Sequence, residues 1–200
     1  MKIYAILIIR KNDPDEINPT ESVLENRGSD FIISSAYDLS SFSYFQRSTI
    51  KEYIIFFVKL LVQKIPFGKR ESIVMKEQCT AHIHVHANGT GAILVCDDEY
   101  PQRVAHTILG DILNRSGSQV SEKELQEYIT RYQNPENADK LYKIQKELSE
   151  TITVVQKTID SVLERGTKLD TLVKQSQDLS ISSKLFYEQA KDQNRCCIVS

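Results

Sequence analysis

The sequence predicts an α+β domain, a five-stranded and mainly antiparallel sheet sandwiched by helices, followed by one long heptad-repeat helix. Three observations carry that expectation. Apolar or alternating runs bounded by turn residues mark five strands. Apolar positions at helical spacing mark the segments between and after them. From Ala138 onward the apolar period becomes 3.5 residues, with no proline and a single glycine, Gly166.

The elements follow in order. Ile3 to Ile9 reads as a strand buried on both faces, with Asp13-Pro14-Asp15 and Asn18-Pro19 as loop. A second strand is expected near residues 30 to 35. The capping residues Asp38 to Ser41 then open a helix over residues 45 to 65, with Phe45, Ile50, Tyr53, Ile54, Phe57, Val58, Leu61 and Ile65 at helical spacing. Pro66 and Gly68 stop it. Residues 72 to 78, 80 to 87 and 91 to 97 read as strands, the last two joined at Asn88-Gly89, a hairpin signal. Tyr100-Pro101 opens a helix to about Arg115. A shorter helix spans Ser121 to Tyr132, where Ser121 and Glu124 have capping-box spacing. The expected organisation is therefore a domain over 1–132, a linker over 133–137, a heptad helix over 138–195 and a tail over 196–200.

Composition excludes several functions. A net charge of −2 gives no basic face for nucleic acid. No apolar run is long enough to span a bilayer. Met1 to Ile9 lacks a cleavage site and reads as a strand, not a signal peptide. The four cysteines, Cys79, Cys96, Cys196 and Cys197, have no metal-type spacing and suit a reducing cytosol. The isolated Cys79 and Cys96 read as structural thiols. Asp97-Asp98-Glu99 reads as a solvated turn. No phosphate loop, activated nucleophile or zinc-protease motif is present, so no enzyme, catalytic residue or cofactor is expected.

His82, His84 and His86 alternate along one strand and share a face. They are a weak candidate for a zinc or copper site; a solvent-facing or partner-facing polar face is the preferred reading. Phe42, Tyr44 and Phe45 crowd the start of the first helix. Core packing explains one or two of them, and a groove for an apolar ligand explains the third, with Phe42 as the residue facing it.

The heptad seam runs through Leu141, Ile144, Leu148, Thr151, Val155, Thr158, Val162, Arg165, Leu169, Leu172, Ser176, Leu179, Ser183, Phe186, Ala190 and Gln193. Small polar residues in a seam fix register at a cost in stability. Arg165 at its centre needs acceptors, because a buried guanidinium is costly and arginine stacked on arginine repels. The seam thus asks for different partner helices that present groups such as Gln or Asn. Cys197-Ile198-Val199-Ser200 fits a prenylation box whose terminal Ser favours farnesyl, leaving a carboxyl-methylated Cys197. One lipid binds membranes only marginally, and Cys196 is the site for a second, palmitoyl, anchor.

Val162-Leu163-Glu164-Arg165-Gly166-Thr167-Lys168-Leu169 resembles the central layer of the R-SNARE, synaptobrevin-like fusion proteins. With the N-terminal domain and the terminal CCaaX box, the whole chain resembles the YKT-type prenylated longin R-SNAREs. Segments at 37–42, 98–105 and 183–187 are similar too. The resemblance implies a longin (profilin-like) domain and a helix that zips with three Q-SNARE helices (Qa, Qb and Qc), Arg165 donating to their glutamines. It also implies cycling between cytosol and the cytoplasmic face of ER, Golgi, endosome or vacuole membranes. In the closed form the SNARE segment folds back on the longin domain, the lipid sits in a groove, and Phe42 helps hold that state. The histidine strand has no counterpart in that picture. Two other readings stay open: an inhibitory or tethering coiled-coil regulator of SNARE assembly, and a metal-linked or enzymatic domain using the three histidines.

Overall fold

In the computed structural model of the protein, the described residues are 1–11, 31–75, 79–116, 119–134, 154–163 and 168–196. They divide between two compact units, Met1–Asp38 with Ile65–Lys157, and Leu39–Lys64 with Thr158–Ser200.

The first unit is built on a sheet of β1 (Ile3–Arg10), β2 (Ile32–Tyr37), β3 (Arg70–Met75), β4 (Cys79–Val85), β5 (Thr90–Asp97) and β6 (Val155–Thr158), in the order β2-β1-β5-β4-β3-β6. The pairs β1/β2, β1/β5, β4/β5 and β3/β4 are antiparallel. The five expected strands thus form, with shifted ends. The sixth comes from the heptad segment and corrects the expected count.

β1 and β5 are apolar along nearly their whole length because they occupy the middle of the sheet, where both faces are buried. The β4–β5 hairpin turns at Asn88-Gly89 as expected. Gly89 has φ +82°, and a Cβ there would collide with the Lys11 carbonyl oxygen. That approach is fixed by Gly89 accepting from the Lys11 N–H at 2.8 Å.

α2 (Gln102–Ser116) and α3 (Glu122–Tyr132) bury Val104, Ile108, Ile112, Leu125 and Ile129 against Ile6, Ile8 and Leu94 of the sheet. The capping box at Ser121 and Glu124 is present. Gln133, expected as linker, instead continues the fold. Its side-chain amide accepts from the Ile3 N–H at 3.0 Å and donates to the Ile3 carbonyl at 2.8 Å and to Asp38 at 3.0 Å.

The second unit holds α1 (Tyr44–Lys64), α4 (Ile159–Val162), α5 (Leu169–Gln175) and α6 (Ile181–Cys196). Tyr53, Ile54, Phe57, Val58 and Leu61 of α1 are buried as expected, whereas Phe45 is not. The continuous helix expected over 138–195 is corrected by its described part, which is one strand and three helices. A heptad seam without partner helices buries nothing, and its polar positions are then free to act as turns and caps. Ser176 makes such a turn, its hydroxyl accepting from the Asp178 N–H at 3.1 Å, and Ser180, outside the seam, caps the next helix: its hydroxyl accepts from the Ser183 N–H at 3.2 Å and its carbonyl from the Lys184 N–H at 3.1 Å. Among the described residues, no helix is long and apolar enough to cross a membrane.

Candidate functional site

Within the second unit, α1 meets the C-terminal segment through adjacent residues. The Tyr53 hydroxyl donates to the Ser183 carbonyl at 2.8 Å. The Ser183 hydroxyl donates to Glu52 Oε2 at 2.6 Å, and the Ser180 N–H reaches the same oxygen at 3.1 Å. Burial alone would raise the Glu52 pKa; the bonds from Ser183 and Ser180 outweigh it and hold the carboxyl below its ordinary value. The Tyr53 ring lies 6.3 Å from Phe186 and 6.0 Å from Tyr187. Lys59 pairs with Asp178 at 2.6 Å.

Burial along this segment departs from the heptad seam. Leu169 and Val173 on α5, then Leu179, Ser183 and Tyr187, are buried in steps of four. A step of four forms a ridge that crosses a neighbouring helix, whereas a 3.5 step serves a supercoil. Of the expected layers, Leu169, Leu179 and Ser183 are buried, Val162, Leu172, Ser176 and Phe186 half-buried, and Val155 and Thr158 exposed. Ala190, Gln193 and Cys196 fall on α6, but their side chains are outside the described set. Leu141, Ile144, Leu148, Thr151, Arg165 and Cys197 lie outside the described residues.

At the edge of the sheet, β6 pairs beside β3, and Lys157 Nζ stands 2.7 Å from Glu71 Oε1. This strand is not legible in the sequence, because Val155 and Thr158 fit the helical seam equally well.

The histidine reading is corrected twice. His82 and His84 are buried, and His86 lies beyond the end of β4. Neither a solvent face nor a metal site results. Arg70 Nε donates to His84 Nε2 at 3.3 Å, and His82 Nδ1 lies 2.7 Å from the Ser72 hydroxyl, while the second ring nitrogen of each is buried with no hydrogen-bond partner. Among the described residues, no cluster of His, Cys, Asp or Glu can hold a metal ion.

What forms instead is a polar knot in the core. The Ser72 hydroxyl also meets His106 Nε2 at 2.9 Å and accepts from the Gln102 amide at 3.0 Å. One hydroxyl can accept two bonds and donate one, so with Gln102 donating to it, one imidazole donates and the other accepts, which two neutral rings satisfy. Burial pushes His82 down to about 4. Burial, with Arg70 and neighbouring imidazoles, pushes His84 and His106 down to about 3. His106 was missed in the sequence because nothing there places α2 over β4.

The aromatic cluster divides differently from the expected core. Tyr44 and Phe45 are 78 % and 88 % exposed and meet edge to face at 5.8 Å, while Phe42 is half-buried. The Phe42 carbonyl accepts from Arg47 at 3.2 Å. Cys96 is buried, its thiol 3.7 Å from the Thr80 carbonyl and pushed up by burial, in keeping with a structural role.

Comparison with known proteins agrees with this layout. The family profile described as "Synaptobrevin" matches residues 140–199, and that described as "Regulated-SNARE-like domain", or longin, matches residues 39–152. The chain is 37 % identical over 214 residues to the synaptobrevin homolog YKT6 of Yarrowia lipolytica. It is 38 % identical over 212 residues to the synaptobrevin homolog ykt6 of Schizosaccharomyces pombe. It is 40 % identical over 212 residues to the VAMP-like protein YKT61 of Arabidopsis thaliana. Each match covers 100 % of both chains.

Proposed function

The chain belongs to the YKT6-type synaptobrevin homologues, non-enzymatic SNARE proteins of vesicle transport, and on that premise we propose that it is an autoinhibited, lipid-anchored R-SNARE. In its active form residues 138–195 join three Q-SNARE helices in a four-helix bundle, with Arg165 donating to their glutamines. Zippering toward the C-terminus draws two bilayers together, the work coming from burial of the apolar seam. The sequence Cys196-Cys197-Ile198-Val199-Ser200 supports a farnesylated, carboxyl-methylated Cys197 and a palmitoylated Cys196. One lipid lets the protein cycle between cytosol and membrane; two hold it on the cytoplasmic face. Phe42, half-buried before α1, helps hold the closed state or receive the lipid.

The observation that carries this reading is the double use of Ser183. It is a layer of the predicted bundle, yet here it is 0 % exposed and bonded to Glu52 and Tyr53 of α1. A segment held this way cannot present the same face to three partner helices, so assembly requires its release. The test mixes the purified chain with candidate Q-SNARE helices. An SDS-resistant 1:1:1:1 complex, weakened by Arg165→Asp and formed faster by residues 138–195 alone, is expected. Failure of both chains with every set of helices would leave an inhibitory or tethering role in its place.

A further inference from the structure

We propose that Glu71 is a lysine socket at the edge of the sheet, and that Lys157 selects which four residues of the heptad segment are added as β6. The inference rests on the closed-state reading above but concerns a different contact. The Glu71 side chain is 8 % exposed, and the Lys157 ammonium stands 2.7 Å from its carboxylate. A carboxylate so buried is costly without a cation, and removing one partner of a buried pair leaves the other uncompensated. Strand edges otherwise choose poorly among extended segments, because backbone hydrogen bonds are the same for every sequence.

Lys157 is well placed to make that choice without affecting fusion. Val155 and Thr158 flank it in the seam at the two inward positions of a heptad. Lys157 then falls at the position between them that faces away from partner helices. In a bundle it contributes no layer. Its ion pair with Glu71 exists only while β6 is on the sheet, so this pair biases the closed state alone. Val155, 48 % exposed in β6, contributes little apolar burial there. Within the strand, the ion pair is therefore the sequence-specific contact that sets the register.

The test is hydrogen exchange at the amides of residues 155–158 in the full chain, without partners. Lys157→Glu and Lys157→Gln should each speed exchange about tenfold or more. Glu71→Lys combined with Lys157→Glu should restore at least half of the lost protection, in logarithmic terms. Melting of the preassembled four-helix bundle should be unchanged by Lys157→Gln. Unchanged exchange in both Lys157 variants would overturn the proposal, as would a charge-reversed pair that folds yet gives no recovery. Because exchange is read without Q-SNARE helices, a failure of bundle assembly would count against the proposed function and not against the socket.

Discussion

At the scale of single residues, the knot around Ser72 makes the protein sensitive to acid. His82, His84 and His106 are buried and neutral, with their pKa values depressed by burial and, for the last two, by Arg70. The charged or titratable neighbours that act on them are Arg70 and other imidazoles, and no carboxylate is among those causes. An unfolded chain takes up these protons near the ordinary histidine pKa of about 6.5, whereas the folded chain resists until about 4 or 3. Their stabilising effect is therefore complete above pH 6.5 and is lost as pH falls below it. Thermal melting should be level between pH 7 and 8, as far as these groups are concerned, and should drop steadily from 6.5 toward 5. The drop should be shallower in His106→Phe, which removes one of the titrating rings. An equally steep drop in that variant would assign the acid sensitivity to other groups.

Tyr53 is the second residue whose chemistry is separable from its bulk. Tyr53→Phe keeps the rings packed against Phe186 and Tyr187 but removes the bond to the Ser183 carbonyl. A lost neutral hydrogen bond costs about 1 kcal/mol, or roughly fivefold in the opening equilibrium. Amides of α6 should exchange faster by that factor in the variant, while those of β1 and β5 stay protected.

At the scale of elements, most of the first unit was legible in the sequence. Local chemistry decides its strands and helices: β1 and β5 are apolar throughout, Pro66 and Gly68 follow the end of α1, and Ser121 with Glu124 starts α3. The hairpin is the sharpest case. Gly89→Ala would place a side chain at φ +82° and against the Lys11 carbonyl. The left-handed conformation alone costs about 1–2 kcal/mol, so melting should fall by several degrees. An unchanged melting temperature would show that the turn relaxes freely.

The elements that were not legible are those set by distant partners. Nothing local distinguishes Val155–Thr158 as a strand from the same four residues as about one turn of seam helix. What decides is the unpaired edge of β3 and the buried Glu71 carboxylate. The same holds for the step of four through Leu179, Ser183 and Tyr187, which answers to Tyr53 on α1. The histidines were misread for the matching reason: alternation shows that they share a face but not that α2 covers it.

At the scale of the whole molecule, one stretch of chain carries two incompatible patterns. On the proposed function its 3.5-residue seam, with Arg165 at the centre, serves partner helices. Its described residues here supply a strand to one unit and a helical ridge to the other. Polar seam positions make that exchange possible. Ser176 and Ser183 would weaken a bundle slightly, but here they make a turn and a buried hydrogen bond to Glu52. A seam of leucines alone would leave an exposed apolar stripe on the waiting protein.

On the proposed function, residues 155–158 change secondary structure when the chain finds its partners. The most direct measurement is the set of NMR Cα and Cβ secondary shifts of Val155, Gln156, Lys157 and Thr158, in the free chain and after adding Q-SNARE helices. Extended-strand shifts are expected in the free chain and helical shifts in the complex. Helical shifts already present in the free chain would contradict that change.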